Sequence, residues 1–144
     1  MNRSFLVVIV FLIAGCAVKT EQNFNLAPKL TQVEQQQIVS DTVRKLTEFY
    51  LPAKTRLSVQ AFEDTFGISL LHNLREQGYE VQEQTQNTPN DSIGLQVRYI
   101  LDQAGDLYRV TVMIGSNSLS RPYSEQNGVL TAAGCWVHKG NKHE

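Results

Sequence analysis

Three histidines are the first candidates for acid–base or metal chemistry in this chain of 144 residues. His72 falls within a predicted helix and has no Cys, His or Asp at metal-ligand spacing. His138 and His143 stand five residues apart near the end of the chain, where we favour a solvated tail over a weak metal site. The histidines therefore predict no metal and no cofactor.

Two pairs of carboxylates could support general acid–base catalysis, but each pair has a structural explanation. Asp102 and Asp106 flank a predicted hairpin turn, where aspartate bonds to nearby backbone N–H groups. Glu63 and Asp64 fall in the first turn of a predicted helix, where the helix dipole favours negative charge. The chain contains no Gly-x-Ser-x-Gly elbow, phosphate-binding loop or dinucleotide fingerprint. We therefore predict that the protein is not an enzyme.

Cys16 has the clearest predicted chemistry. It follows Arg3, an apolar run from Phe5 to Ile13 and the small pair Ala14-Gly15. This run is about half as long as a membrane-spanning helix of roughly 20 residues, and the arrangement is typical of a secretory signal. With Cys16 it resembles a bacterial lipobox, whose thiol receives a diacylglyceryl group before cleavage makes it the acylated first residue. Ordinary cleavage a few residues later is the alternative.

The lipobox interpretation divides the chain into four parts. Residues 1–15 are a lipoprotein signal peptide, 16–29 a lipid-anchored flexible tether, 30–140 a single α+β periplasmic domain and 141–144 a frayed tail. The diacylglyceryl and N-acyl chains on Cys16 anchor the protein stably, since two or more chains are needed for this. Ala17 stands where enteric lipoproteins carry an inner-membrane retention Asp, which favours the outer membrane with the domain facing the periplasm.

Charge and cysteine content limit the partners of the domain. The net charge is −1 and the thirteen Lys and Arg residues are scattered, which predicts no direct contact with nucleic acid. Once Cys16 is acylated, Cys135 has no internal disulfide partner. We predict that Cys135 is a small buried side chain beside Trp136, and an intermolecular disulfide with a partner is the alternative.

Two helices are predicted in the first half of the domain. Thr31 and Glu34 fit a capping box that starts a helix of about five turns, which Pro52 stops. A second helix is predicted from Ala61 to Gln77, followed by a capping glycine. Gly67 inside this helix costs about 1 kcal/mol relative to alanine, which indicates close packing of the helix on a sheet.

Alternating apolar residues predict strands around 57–59 and 79–83, and a four-stranded antiparallel meander in the last third. Asn127-Gly128 is a strong hairpin signal between the third and fourth strands. Pro122 indicates that the third strand is an edge or is interrupted, and Gly134 fits a bulge in a fourth strand from Val129 to His138. The order of elements predicts an α+β fold, with two helices packed on a mostly antiparallel sheet.

A possible partner-binding surface is predicted on three successive strands of the meander. If its arginines line up on one sheet face, they and the nearby tyrosines could anchor an interface. The alternative is a solvated face with ordinary cross-strand pairing, for example to Glu83 or Asp102. The candidate residues are Arg98, Arg109, Arg121, Tyr99, Tyr108 and Tyr123.

An ordered set of short motifs resembles the TrbH family of conjugal transfer lipoproteins. The motifs are Tyr50-Leu51-Pro52-Ala53, Asp64-Thr65-Phe66-Gly67, Leu74-Arg75-Glu76-Gln77-Gly78-Tyr79, Arg98-Tyr99-Ile100-Leu101-Asp102-Gln103, Tyr108-Arg109-Val110, Leu119-Ser120-Arg121 and Ala133-Gly134-Cys135-Trp136-Val137. Family members often carry a second Pro where Leu51 stands and a basic residue where His138 stands. These departures touch a turn and a strand end.

The resemblance implies a non-enzymatic structural or assembly component of a mating-pair formation apparatus, a type IV secretion system for plasmid DNA. It brings no catalytic residues. The implied partners are other secretion-channel subunits and, through the lipid anchor, the membrane, with no small-molecule substrate. Two alternatives stay open: an auxiliary lipoprotein of envelope lipid or solute transport that binds an apolar ligand between sheet and helices, and a plasmid surface-exclusion lipoprotein.

Overall fold

The computed structural model describes residues 23–60, 62–84 and 93–140. The predicted signal peptide, Cys16, His143 and the C-terminal tail lie outside these residues. The helices are α1 (Gln32–Phe49) and α2 (Thr65–Glu76), with a short 3₁₀ turn at Pro52–Lys54. The strands are β1 (Phe24–Asn25), β2 (Arg56–Gln60), β3 (Glu80–Gln84), β4 (Leu95–Ala104), β5 (Leu107–Ile114), β6 (Asn117–Gln126), β7 (Val129–Ala132) and β8 (Val137–Lys139).

Helix α1 begins at the predicted capping box. The N–H of Glu34 donates to Thr31 Oγ1 at 3.3 Å, and the N–H of Thr31 donates to Glu34 Oε2 at 2.7 Å. These two bonds satisfy donors that the first turn of a helix leaves without partners. The helix ends at Phe49, just before Pro52, as predicted.

Helix α2 begins at Thr65, four residues later than predicted, and Ala61 lies outside the described residues. The reason is a cap, because Asp64 Oδ1 accepts from the N–H groups of Phe66 at 3.0 Å and Gly67 at 3.1 Å. Asp64 is therefore the N-cap of α2, not a residue of its first turn. Gly78 follows the helix with a φ of 90°, the left-handed conformation expected of a capping glycine.

The strands of the described residues form one mixed sheet in the order β3-β2-β4-β5-β6-β7, with β1 beside β4 and β8 beside β6. Strand β2 is parallel to both β3 and β4, and β1 is parallel to β4. All the pairs from β4 onward are antiparallel, which gives the predicted meander. The α+β fold class is confirmed.

The end of the predicted tether belongs to the folded domain. Phe24 and Asn25 pair with Ile100 and Leu101 of β4, and the side chains of Ala27 and Leu30 are buried. Phe24, Asn25 and Ala27, which we assigned to a flexible tether, are therefore part of the folded domain. A tether can extend no further than the residues before Asn23.

The predicted fourth strand is two strands, β7 and β8, which both pair with β6. The four residues 133–136 join β7 to β8, but only two residues of β6, Arg121 and Pro122, lie opposite them. The backbone therefore leaves the sheet at 133–136. Pro122 O accepts from the N–H of Ala133 at 2.9 Å. We had predicted from Pro122 that the third strand of the meander is an edge or is interrupted. That prediction was wrong, because β6 is continuous and has neighbours on both sides. The interruption lies instead in the neighbouring strand, between β7 and β8.

Both helices pack on one face of the sheet, which we call the inner face. Its core side chains are each at most 2% exposed: Leu57, Val59, Val97, Tyr99, Leu101, Val110, Val112, Ile114, Leu119 and Tyr123. Fully buried apolar side chains of α1 and α2, such as Ile38, Val39, Phe66, Leu70 and Leu74, pack against them. This filled space argues against an apolar ligand between sheet and helices. We call the opposite face the outer face.

Candidate functional site

The three tyrosines predicted as partner anchors are core residues. Tyr99, Tyr108 and Tyr123 are 0%, 5% and 2% exposed. Side chains alternate between the two faces along a strand, and all three fall on the inner face with the buried valines and leucines. That part of the predicted partner-binding surface is wrong, because buried tyrosines cannot meet a partner.

The three arginines do not line up on one face. Arg98 and Arg109 lie on the outer face, whereas Arg121 lies between the buried Leu119 and Tyr123 on the inner face. Strand register explains the split, since Arg109 stands opposite Pro122 and the neighbouring Val110 stands opposite Arg121. The predicted three-arginine surface is therefore wrong, and its arginines divide between two environments.

Arg109 forms the cross-strand pair that the alternative interpretation predicted. Its Nε and Nη2 atoms donate to Asp102 Oδ1 at 3.2 Å and Oδ2 at 2.6 Å. The bond to Asp102 and its negative charge raise the pKa of Arg109 above its usual value. Asp102 thus lies within β4 and binds a side chain, whereas Asp106 lies in the turn itself.

Asp41 is the centre of a polar cluster between α1 and β6. Its Oδ2 atom accepts from Tyr123 Oη at 2.5 Å and from Arg121 Nη1 at 2.7 Å. Its Oδ1 atom accepts from Arg44 Nη2. Both carboxylate oxygens are therefore occupied, and the cluster holds the middle of α1 on the sheet.

Arg121 also binds the segment 133–136, the excursion of the backbone out of the sheet between β7 and β8. Its Nε donates to Gly134 O at 2.9 Å, and its guanidinium lies 5.7 Å from the Trp136 ring and 5.8 Å from the Tyr123 ring. A guanidinium at these distances from two aromatic faces is stabilised by cation–π attraction. A cleft of about 490 Å³ opens beside this cluster and is lined by Gln37, Ser40, Asp41, Arg44, Arg121, Tyr123 and Ala132.

The pKa of Asp41 is lower than its usual 3.8. Burial opposes ionisation, but hydrogen bonds from Tyr123 and Arg44 and the charge of Arg121 together outweigh that opposition. A base with a lowered pKa and two occupied oxygens is poorly suited to take a proton from a substrate. The cluster is accordingly a structural contact.

Asp41→Asn is expected to lower the free energy of unfolding by about 1–2 kcal/mol at neutral pH, because hydrogen bonds to a charged acceptor are weakened. Since the folded state lowers the pKa of Asp41, its stabilising effect is complete above the unfolded-state pKa and is lost as the pH falls through the folded-state value. Urea denaturation from neutral pH to about pH 3 should show the two proteins converging in acid.

Asp106→Asn in the exposed β4–β5 turn is the matched control, since it removes the same charge from a site outside the cluster. It should leave the free energy of unfolding unchanged within about 0.5 kcal/mol. A loss in Asp41→Asn that stays constant across the pH range would contradict the assigned role of the carboxylate.

Asp64 and Tyr99 form a second polar contact between a helix and the inner face. Tyr99 Oη donates to Asp64 Oδ2, and Asn25 Nδ2 donates to Asp64 Oδ1 at 3.4 Å. Burial and the neighbouring carboxylate raise the pKa of Tyr99 well above its usual value, so the hydroxyl stays protonated. We did not predict this role of Asp64, although a carboxylate one residue before a helix is a capping signal.

Tyr79 makes a similar contact at the C-terminal end of α1. Its hydroxyl donates to the carbonyl of Tyr50 at 2.5 Å, and burial raises its pKa to about 12. The Tyr50 hydroxyl in turn accepts from Asn117 Nδ2 at 2.7 Å. Tyrosine hydroxyls therefore attach both helices to their surroundings, and two of these tyrosines, Tyr99 and Tyr123, are residues that we had assigned to an interface.

Cys135 is exposed, so the prediction of a buried thiol is wrong. It belongs to the excursion at 133–136, which carries it away from the core while Trp136 stays half-buried. His138 lies in β8 and stacks on Phe49 with ring centroids 4.7 Å apart, so it is not part of a solvated tail. Over the described ranges, no three potential metal-ligating side chains cluster.

These observations define the class of the protein as an α+β domain whose polar clusters join helices to a sheet. The chain matches the family described as conjugal transfer protein TrbH over residues 18–140, and it belongs to this family. No curated protein and no solved structure matches the chain. Neither helix in the described part of the chain is both long and apolar enough to cross a bilayer.

Proposed function

We propose that the protein is an outer-membrane lipoprotein that serves as a non-enzymatic assembly component of a conjugative type IV secretion apparatus. The observation that carries this proposal is the family match over residues 18–140, which covers the whole described domain. The lipobox-like residues Ile13 to Cys16 support the anchor, and the domain would face the periplasm. Its partners would be other subunits of the secretion channel.

The short distance between Cys16 and the domain supports a role at the membrane surface. Six residues separate Cys16 from Asn23, and the seven Cα–Cα steps between these two residues can extend over at most about 25 Å. Confinement near a surface raises the effective concentration of the domain for partners in the same membrane. Weak contacts between the domain and channel subunits are then sufficient for assembly.

A role without catalysis is supported by the way the charged side chains are used. Asp41, Asp64 and Asp102 are each bound by side chains of neighbouring elements. The cleft beside Asp41 contains no histidine, cysteine or other strong nucleophile among its lining residues. The charged groups in its lining, Asp41, Arg44 and Arg121, bind one another, which supports a structural use for them.

Deletion of the gene from a conjugative plasmid tests the proposal. Transfer from the deletion donor should fall to the background level and should return when the gene is supplied in trans in the donor. Normal transfer from the deletion strain, with an unchanged secretion channel, would contradict the proposal. Expression of the gene alone in a recipient tests surface exclusion, because exclusion would then reduce the uptake of an incoming plasmid.

As a second element of the proposal, Cys135 forms an intermolecular disulfide with a partner. The exposure of its thiol supports this element. An exported thiol at the surface can be oxidised to a disulfide with a partner, since the periplasm is oxidising. A non-reducing gel of donor membranes should show an adduct that disappears in Cys135→Ser. Absence of any adduct in the native protein would remove this element and leave the assembly role unaffected.

A further inference from the structure

Strand β3 forms an open edge of the sheet. Its five residues pair with β2 in unbroken register, and no other strand of the described residues pairs with its far side. The opposite edge consists of β7 and β8, which are four and three residues long and are separated by the excursion at 133–136. An unbroken edge presents N–H and C=O groups that can pair with a further strand.

The carboxylates on β3 that could repel an incoming strand are neutralised within the chain. Arg56 Nε donates to Glu80 Oε2 at 2.7 Å, and Arg75 Nη2 donates to Glu83 Oε1 at 2.5 Å. Lysine and proline commonly protect an edge, and β3 contains neither. The Glu83 side chain is 41% exposed although α2 binds it, so the helix leaves this part of the strand accessible. The edge is therefore open and has no net charge.

A second copy of β3 matches this edge. Two copies that pair antiparallel about a two-fold axis at Gln82 give all five residues of each strand a partner. Glu80 then lies opposite Gln84 of the other copy. Val81 lies opposite Glu83, so no like charges meet, as they would with an axis at either glutamate. An axis at Val81 would pair only three residues of each β3.

We propose that two copies of the protein join through β3 into one continuous sheet, an inference that uses the membrane anchor of the proposed function. The two-fold axis of such a pair is perpendicular to the sheet, so both tethers leave toward the same side of it. A five-residue edge is smaller than the interface of a stable soluble dimer. Confinement of both copies to one membrane raises their effective concentration and favours the pairing.

The separation of the two tethers is compatible with one membrane. Strands β1 and β2 pair with the same side of β4, because β5 occupies the other, so β1 lies one strand away from β3. Gln82 is level with Gln96 of β4, and Asn23 binds the N–H of Tyr99, three residues further along. Strand spacing and rise then place the two Asn23 residues about 25 Å apart. Each tether can extend about as far, so both lipids can enter one bilayer.

Disulfide formation at the two-fold axis tests the inference in the full chain. Gln82→Cys is combined with Cys135→Ser, which removes the other surface thiol, and membranes of donor cells are oxidised with copper phenanthroline. The Cα atoms of directly opposite residues are about 4.5–5.5 Å apart, which a disulfide can bridge. A non-reducing gel should show a dimer that a thiol reductant dissociates.

Gln84→Cys and Gln36→Cys, each with Cys135→Ser, are the matched controls. The two Gln84 residues of the pair would lie about 14 Å apart, too far for a disulfide. Gln36 is exposed on α1, outside the sheet, and reports random collision in the membrane. Each control should give at least about tenfold less dimer than Gln82→Cys.

A charge at the axis provides a second readout. Chains with Glu80→Cys and chains with Gln84→Cys should cross-link when they are produced together, because these residues lie opposite each other. Adding Gln82→Lys to both chains should lower that yield by about threefold, since like charges would then meet directly. Gln36→Lys in the same chains should leave the yield unchanged. An equal yield with both lysines would contradict the pairing.

Several outcomes would overturn the inference. These are no dimer from Gln82→Cys, an equal dimer from Gln36→Cys, or an adduct of Gln82→Cys with a different protein, which would show that the edge takes another subunit. If the chain is lipidated and needed for transfer but gives no dimer, the inference fails and the assembly role stands. If the chain carries no lipid, the proposed anchor fails, and a dimer from Gln82→Cys would still support pairing through β3.

Discussion

Cys16→Ser is expected to leave the protein without lipid and to reduce plasmid transfer to the level of the gene deletion. A serine hydroxyl cannot replace the sulfur nucleophile that accepts the diacylglyceryl group. Each acyl chain contributes about 0.8 kcal/mol per buried CH₂ group, so the loss of two or more chains removes membrane binding almost entirely. Phase partitioning in detergent and the frequency of transfer in mating assays measure the two effects.

Cys135→Ser is the matched control for this prediction, because it replaces the other cysteine and leaves the lipobox intact. It should partition with the detergent phase like the native protein. Retention of Cys16→Ser in that phase, with unchanged processing, would show that the anchor does not depend on this thiol. The assembly role would then need another means of membrane attachment.

Gly67→Ala is expected to destabilise the domain by about 2–4 kcal/mol, although alanine is usually the better helix residue by about 1 kcal/mol. A Cβ atom at residue 67 would lie 2.5 Å from Phe62 Cβ and 2.7 Å from Tyr99 Oη. No Cβ fits at those distances, so Phe62, the Tyr99 hydroxyl or α2 itself must shift. That movement also weakens the bond between Tyr99 and Asp64, and thermal or urea unfolding measures the loss.

Ile68→Ala is the control on the same helix, because Ile68 is 55% exposed and points away from the sheet. Its effect should stay within about 0.5 kcal/mol. A Gly67→Ala protein as stable as the native one would mean that α2 does not approach β4 as closely as described. The prediction from sequence that Gly67 marks close packing would then fail as well.

Local patterns predicted most elements of the fold. The capping box at Thr31 and Glu34 predicted where α1 begins, and Pro52 predicted approximately where it ends. Asn127 and Gly128 both adopt positive φ angles, 54° and 76°, as the predicted hairpin turn requires. These features depend on neighbouring residues alone, so a single sequence contains the information needed to find them.

Strand periodicity contained more information about the arginines than our prediction used. Leu119, Arg121 and Tyr123 share one face of β6, and Leu119 and Tyr123 are core residues. Arg109 alternates with the buried Tyr108 and Val110, which places it on the other face. The two arginines could therefore have been separated from sequence by this alternation.

The polar cluster at Asp41 could not have been found in the same way. Asp41 lies 80 residues from Arg121 and 82 from Tyr123, and no local pattern marks an aspartate that will meet them. Arg121 also contacts the break between β7 and β8, where it donates to Gly134 O and lies 5.7 Å from the Trp136 ring. Such features are set by tertiary packing of distant elements.

The mass of the N-terminal peptide of the protein, extracted from donor membranes, tests the central claim most directly. The proposal predicts a chain that begins at Cys16 and carries a diacylglyceryl group on sulfur and an acyl group on nitrogen. A chain that keeps Met1, or that begins at another residue without lipid, would contradict it. The domain would then have no demonstrated means of attachment to the envelope in which we propose that it works.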